Sequence, residues 1–320
     1  MANEHKSRER VGAAVQPGWV TAPERGTINM LRVMTFISLK LGRGVARVVL
    51  YGIAGYFCLF APTPGRHIGK YLRHALRRVP TRLDHFRLLL SFSSTIHDRV
   101  YLLNEQYDLF DISIEGVDFV KTRVDRGEGI LLMGAHLGSF EIMRALGRRQ
   151  PGLKVAMAMY GENAHKINST MAAVNPRLAG DIFPLGTIDS MLQIKARLDG
   201  GTCVGILGDR TIGAEAVHRV RFLGAPAYFP TSAMRLAAVL RRPVIFMTGL
   251  YRGGNRYHIV FDELADFRQT ERADRGAAVA AAIERYVALL ERYCTSDPYN
   301  WFNFFDIWKD PATRLPPGKS

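Results

Sequence analysis

The stretch Gly129-Ile130-Leu131-Leu132-Met133-Gly134-Ala135-His136-Leu137-Gly138-Ser139-Phe140-Glu141 constrains the fold more than any other part of the chain. Its uninterrupted apolar run, Ile130 to Met133, is what a strand buried on both faces requires. Small residues turn the chain at Gly134-Ala135, and Ile142-Met143-Arg144-Ala145-Leu146 continues as a helix that Gly147 or Pro151 stops. His136 therefore lies where a strand ends and a helix begins, the edge at which open α/β sheets bind ligands. Residues five apart on one helix point roughly 140° from each other. His136 and Glu141 meet only if the histidine sits in the turn and curls back, a path that Gly134 and Gly138 permit. A carboxylate on one imidazole nitrogen fixes the tautomer and leaves the other nitrogen as a general base. The competing reading of this spacing is a helix-capping histidine beside a solvated glutamate.

Strand and helix patterns alternate on either side of this motif. Residues 110–117 read as a strand in which Ile112 and Ile114 alternate with polar residues, and 121–127 as a short helix. Beyond it come a strand at 154–160, a helix at 162–174, a short extended segment at 182–184 and a helix at 188–198. A second buried strand, 202–207, ends at Gly208-Asp209-Arg210-Thr211. Residues 231–240 read as a helix with Thr231 as its N-cap, 243–251 and 257–261 as strands, and 275–293 as a long Ala-rich helix. Alternation of this kind predicts an α/β fold with a mixed, mostly parallel sheet flanked by helices. The aromatic segment Asp297-Pro298-Tyr299-Asn300-Trp301-Phe302-Asn303-Phe304-Phe305-Asp306-Ile307-Trp308-Lys309 closes it.

The N-terminal third differs. Residues 1–25 are polar and read as a flexible tail, and 311–320 as a second tail. Residues 26–105 read as a helical membrane-associating region ahead of an α/β domain at 106–310. Within it, 29–41 is an amphipathic helix and 48–61 an uncharged run, shorter than the roughly 18–20 residues of a spanning helix. Arg43 and Arg47 precede that run and Arg66 and Lys70 follow it. This predicts an interfacial or re-entrant anchor, or a short span whose arginines snorkel, against the alternative of a buried core helix. Tyr51, Tyr56, Phe57 and Phe60 favour the interface. Residues 67–105 crowd basic side chains around Pro80, a single-sign surface suited to lipid phosphate or an acidic carrier protein.

The net charge of +14 admits an anionic partner of any kind. Nucleic acid is disfavoured, because the arginines cluster beside the apolar run and no finger, RNP or helix-turn-helix pattern occurs. Cys58, Cys203 and Cys294 lie far apart with no metal-ligand spacing, so neither a disulfide framework nor a metal site is expected.

Taken together, these residues resemble the bacterial lipid A late acyltransferases, the lauroyl/myristoyl family within the wider H-x4-D/E acyltransferases. The resemblance runs from about Thr27 to Lys309. It rests on the apolar N-terminal run, Gly-Ala-His136-Leu-Gly-Ser-Phe-Glu141, the strand closing on Gly208-Asp209-Arg210, Phe222-Leu-Gly-x-Pro226-x-x-Phe-Pro230, and the aromatic end. Gly208-Asp209-Arg210-Thr211 is more similar to the relatives found with aryl polyene or other acyl-glycolipid pathways, which leaves the acceptor open.

The resemblance implies a glycerolphosphate-acyltransferase-like fold and acyl transfer from an acyl carrier protein, or coenzyme A, thioester to a hydroxyl of a membrane lipid or glycolipid. It implies a site on the cytoplasmic face of the inner membrane and no cofactor. His136 is then the base and Glu141 its orienting partner, with backbone N–H groups near Gly138 and Ser139 as oxyanion donors. Arg210, beside Asp209, holds an acceptor or donor phosphate unless it pairs with Asp209 or Glu141; Arg144 neutralises Glu141 or binds an anion. Tyr228, Asn300 and Trp301 line the acyl or glycan pocket. Ser139 lacks the G-x-S-x-G elbow of a nucleophile. The alternatives are a thioesterase or lipase using the same His/Glu pair and a non-catalytic, membrane-bound lipid-binding protein.

Overall fold

The structure, a computed structural model, describes residues 28–60, 62–149, 153–160, 182–185, 188–211 and 215–310. Both expected tails and the helix expected at 162–174 lie outside the described residues.

Seven strands form one sheet in the order β1-β9-β8-β2-β5-β3-β4. They are β1 (Asp111–Glu115), β2 (Leu131–Gly134), β3 (Val155–Tyr160), β4 (Ile182–Leu185), β5 (Cys203–Leu207), β8 (Pro243–Tyr251) and β9 (Arg256–Asp266). The β8, β2, β5, β3 and β4 strands run parallel to one another. The β8–β9 pair is antiparallel, because the link through Gly253 and Gly254 is too short for a crossover. β1 is parallel to β9 and forms one edge, with β4 at the other. The mixed, mostly parallel sheet is thus present.

Apolar alternation along the central strands fills both faces. Leu131 and Met133 of β2, Val204 and Ile206 of β5, and Val244 and Phe246 of β8 share one core. That core includes residues of α2 (Pro62–Leu76), α6 (Ile188–Asp199), α7 (Ser232–Val239) and α8 (Arg275–Ser296). Ile130, Leu132, Ile245 and Met247 point to the other face. There they meet residues of α3 (Arg82–Leu103), α4 (Val117–Val124) and α5 (Phe140–Arg149). A separate antiparallel ribbon, β6 (Val217–Phe222) with β7 (Ala225–Pro230), packs Phe222 and Phe229 into the first core.

One local expectation is corrected. Thr231 precedes α7 without a side-chain cap bond; its hydroxyl donates to Ala216 O. The cap that forms is at Thr81, where Thr81 and Asp84 make a reciprocal capping box at the start of α3.

The long helix α1 (Ile28–Phe60) is broken at Gly42, whose φ of 81° and ψ of 167° are non-helical. The part from Gly42 to Phe60 spans 19 residues at mean hydropathy 1.3. That makes it about 28 Å long, against a hydrocarbon core of about 30 Å. One stripe, Ala46, Leu50 and Ala54, is buried, while Val48 on the other side is 72% exposed and Phe60 63%. Arg43 and Arg47 do not flank this helix as free cations. Arg43 forks onto both oxygens of Asp98 at 2.8 Å, and both arginines donate to Gly254 O. Arg47 also reaches the Tyr251 hydroxyl at 2.5 Å. The buried Asp98 carboxylate needs a cation in water's absence, and Arg43 supplies it.

Candidate active site

The register of the central strands builds the site. In the parallel pair β2–β5, Gly134 lies opposite Leu207. His136 and Asp209, each two residues past that pair, are therefore brought side by side at the carboxyl edge. The imidazole Nδ1 stands 2.7 Å from Asp209 Oδ1, and the His136 backbone N–H donates to Oδ2 at 3.0 Å. Trp301 Nε1 donates to the same Oδ2 at 2.9 Å, and Asn303 Nδ2 to the Asp209 carbonyl at 2.7 Å. Asp209 is fully buried, whereas the His136 side chain is 26% exposed.

These contacts set the protonation states. Burial by itself raises the Asp209 carboxyl, but the charge and hydrogen bonds of His136 and the charge of Arg210 overcome it and hold the group below its ordinary range. An ionised carboxylate only accepts, so Nδ1 carries the imidazole proton and Nε2 is left with its lone pair. Burial first, then the Arg210 charge, pushes the imidazolium below its usual pKa of 6.5, against the raising effect of Asp209. At neutral pH His136 is neutral and its Nε2 is a competent base.

The carboxylate expected on this imidazole, Glu141, is directed elsewhere. Its carboxylate receives Arg144 Nη1 at 3.2 Å and lies 3.6 Å from Arg99 Nε of α3. Gly138 accounts for the divergence: at φ 72° it turns the chain before α5 begins at Phe140. A Cβ on Gly138 would lie 2.1 Å from Gly249 O, so the turn is pressed against β8. Glu141 then falls on the α5 face directed at α3, with Arg144 one turn on. Both are buried.

The backbone donors are also already engaged. Gly138 N–H donates to Asn300 O and Ser139 N–H to Gly249 O, both at 2.8 Å. The expectation that they stabilise an oxyanion is thereby corrected: a parallel bridge to Gly249 and an antiparallel one between Leu137 and Trp301 use this backbone. Arg210 is the cation beside the pair. Its Nε donates to Asn303 Oδ1 at 3.1 Å and its Nη2 to Phe302 O at 3.2 Å.

Asn300 and Trp301 support the site rather than line a pocket. The Asn300 amide pairs with both backbone groups of Tyr251, at 2.8 and 3.1 Å, in the manner of a neighbouring strand. Trp301 is 1% exposed, packed between Tyr71 and Phe222, with its indole N–H spent on Asp209. Tyr228 lies on the ribbon, where its hydroxyl donates to Asp310 at 3.2 Å. Tyr286, which the sequence reading passed over, donates to Gly134 O at 2.9 Å and braces the end of β2. Among the described residues no cluster of three metal-ligating side chains occurs.

The arrangement is a buried carboxylate, an oriented imidazole with one nitrogen open, and an adjacent guanidinium. It suits proton removal from a hydroxyl beside a developing negative charge. The family model described as bacterial lipid A biosynthesis acyltransferase matches residues 93–310. A comparison with individually curated proteins gave no match.

Proposed function

This chain belongs to the bacterial lipid A biosynthesis acyltransferase family and is an acyltransferase acting on lipid, and from that premise we propose that it moves a fatty acyl chain from a carrier-protein thioester to a hydroxyl of a membrane glycolipid. The observation that carries this reading is the 2.7 Å contact between His136 Nδ1 and Asp209, with Nε2 unengaged among the described residues. His136 Nε2 takes the proton of the acceptor hydroxyl as its oxygen attacks the thioester carbon. The tetrahedral oxyanion forms beside Arg210 and collapses, breaking the C–S bond; the imidazolium returns its proton to the departing thiolate. A thioester is already activated, so the steps need no covalent intermediate on the enzyme.

Asp209 orients the imidazole and stabilises its cation; this is the role the sequence reading gave Glu141. We assign Glu141, with Arg99 and Arg144, to holding α5 against α3, which fixes the turn that carries His136. The exposed apolar side of α1, including Val48, Tyr56, Leu59 and Phe60, supports attachment to the inner membrane with the site on the cytoplasmic side. The formal charge of +14 supports an acidic carrier as donor by electrostatic steering.

The test is a reaction of purified protein in detergent with an acyl-carrier thioester, with and without acceptor glycolipid. Acylated lipid formed by wild type and not by His136→Ala supports the reading. Free fatty acid released equally in the absence of acceptor replaces it with the hydrolase.

A further inference from the structure

The first turn-to-turn stripe of α2 carries cations that the proposed chemistry does not use. Arg66, Lys70 and Arg73 recur at intervals of four and three residues, the spacing of one helical face. Arg77 follows in a left-handed conformation at φ 52°, just beyond the helix. The nearby cations of this region have partners: Lys70 pairs with Asp306, Arg78 with Asp84, and Arg87 stacks on Tyr299. Arg73 and Arg77 are exposed, and among the described residues neither forms an ion pair with a carboxylate.

Both instead line a cavity of about 430 Å³, together with His74, Arg221, Leu223, Gly224 and Glu291. Three guanidiniums thus face one concavity. The carboxylate there, Glu291, receives the Leu223 N–H at 2.8 Å, which ties it to the β6–β7 turn. His74 Nδ1 donates to Leu223 O at 3.1 Å, leaving Nε2 as a further polar group. Arg221 is held by donation to Gly224 O at 3.2 Å. Glu291 offsets one of the three positive charges, and the surplus favours an added anion, whose tetrahedral oxygens the planar guanidinium forks match two bonds at a time. A row of ring contacts runs from the cavity to the site: His74 stacks on Trp308 at 4.8 Å, Trp308 on Phe222 at 5.9 Å, and Phe222 meets Trp301 at 5.4 Å. Trp301 is the residue that donates to Asp209.

We infer that Arg73, Arg77 and Arg221 form a phosphate-binding site, separate from His136, that takes a phosphate monoester or diester group. The phosphate belongs either to a lipid headgroup or to a soluble ligand.

Titration calorimetry of the full chain in detergent with inorganic pyrophosphate tests this. Wild type binds with an affinity that weakens as salt rises, and Arg73→Ala/Arg221→Ala binds at least tenfold more weakly. Arg272→Ala, an exposed control, binds as wild type. Unchanged thermal unfolding of the double variant without ligand shows that the loss is local. Phosphatidylcholine vesicles containing phosphatidic acid that displace pyrophosphate, where pure phosphatidylcholine does not, assign a lipid headgroup. Displacement by soluble 4′-phosphopantetheine but not by the acidic vesicles assigns a soluble ligand. Equal affinity in the wild type and the double variant, or no binding in either, overturns the site. His136→Ala retains pyrophosphate binding, so failure of the acyl-transfer reading would leave this result intact.

Discussion

Replacing Asp209 by Asn separates the orienting role of the carboxylate from its structural one. Oδ2 accepts two donors that cannot change character, the His136 backbone N–H and Trp301 Nε1–H. Among the described residues, Oδ1 bonds only the His136 ring. The amide therefore keeps its oxygen at the Oδ2 position and presents its NH₂ to Nδ1. That nitrogen must then accept, which moves the proton to Nε2 and removes the base. The expected loss is the whole contribution of a positioned base, about 10²–10⁴-fold in kcat, or roughly 3–5 kcal/mol of barrier. KM changes little, because the ring stays in place. Stability changes modestly, since two of the three side-chain bonds survive. Asp209→Ala, by contrast, strands two buried donors at about 1–3 kcal/mol each and lowers Tm clearly. The assay is transfer of labelled acyl chain from carrier thioester to extracted glycolipid, alongside thermal unfolding. An Asp209→Asn enzyme with wild-type kcat would refute the tautomer argument and return attention to Glu141.

Other outcomes follow from the same contacts. Glu141→Ala leaves the buried Arg144 without this carboxylate, so a loss of about 3 kcal/mol in denaturant unfolding is expected. Because the His136 pKa is lowered in the fold, kcat/KM falls as acid protonates Nε2, with its acid limb below pH 6.5. The same depression means that the unfolded chain binds the proton more readily. The stability contribution is present above pH 6.5 and is lost as pH falls toward the folded value, which unfolding measured across pH 5–7 reports. Arg43→Ala leaves Asp98 buried without its forked partner and costs about 3–5 kcal/mol in unfolding free energy. Tyr56→Glu/Leu59→Glu, on the exposed side of α1, shifts the protein from the membrane pellet to the supernatant without changing Tm.

What the sequence disclosed was local order, and what it concealed was pairing across distance. The apolar runs of β2, β5 and β8 are legible because strands buried on both faces carry few polar residues; Thr248 of β8 is buried with its hydroxyl donating to Leu137 O. The site histidine is legible from its place at a strand end. Its partner was misread because Glu141 is five residues away and Asp209 seventy-three. Two buried strands each followed, two residues on, by a His and an Asp are the pattern that foretells the contact, once they are taken as parallel neighbours. Arg43 and Arg47 read as membrane-flanking cations for a similar reason. Their partners, Asp98, Tyr251 and the Gly254 carbonyl, lie on α3 and the β8–β9 hairpin, which no helical period reveals. The donors at Gly138 and Ser139 looked available because the backbone segments that engage them, at Asn300 and Gly249, are remote in the chain.

The central claim is that this chain acylates a lipid with His136 as its base. Mass spectrometry of lipid extracts from cells expressing wild type or His136→Ala tests it most directly. A lipid heavier by one acyl chain, present only with wild type, is the predicted result, and it names acceptor and chain length together. The same lipid in His136→Ala cells, or unchanged lipids with raised free fatty acid, would contradict the account.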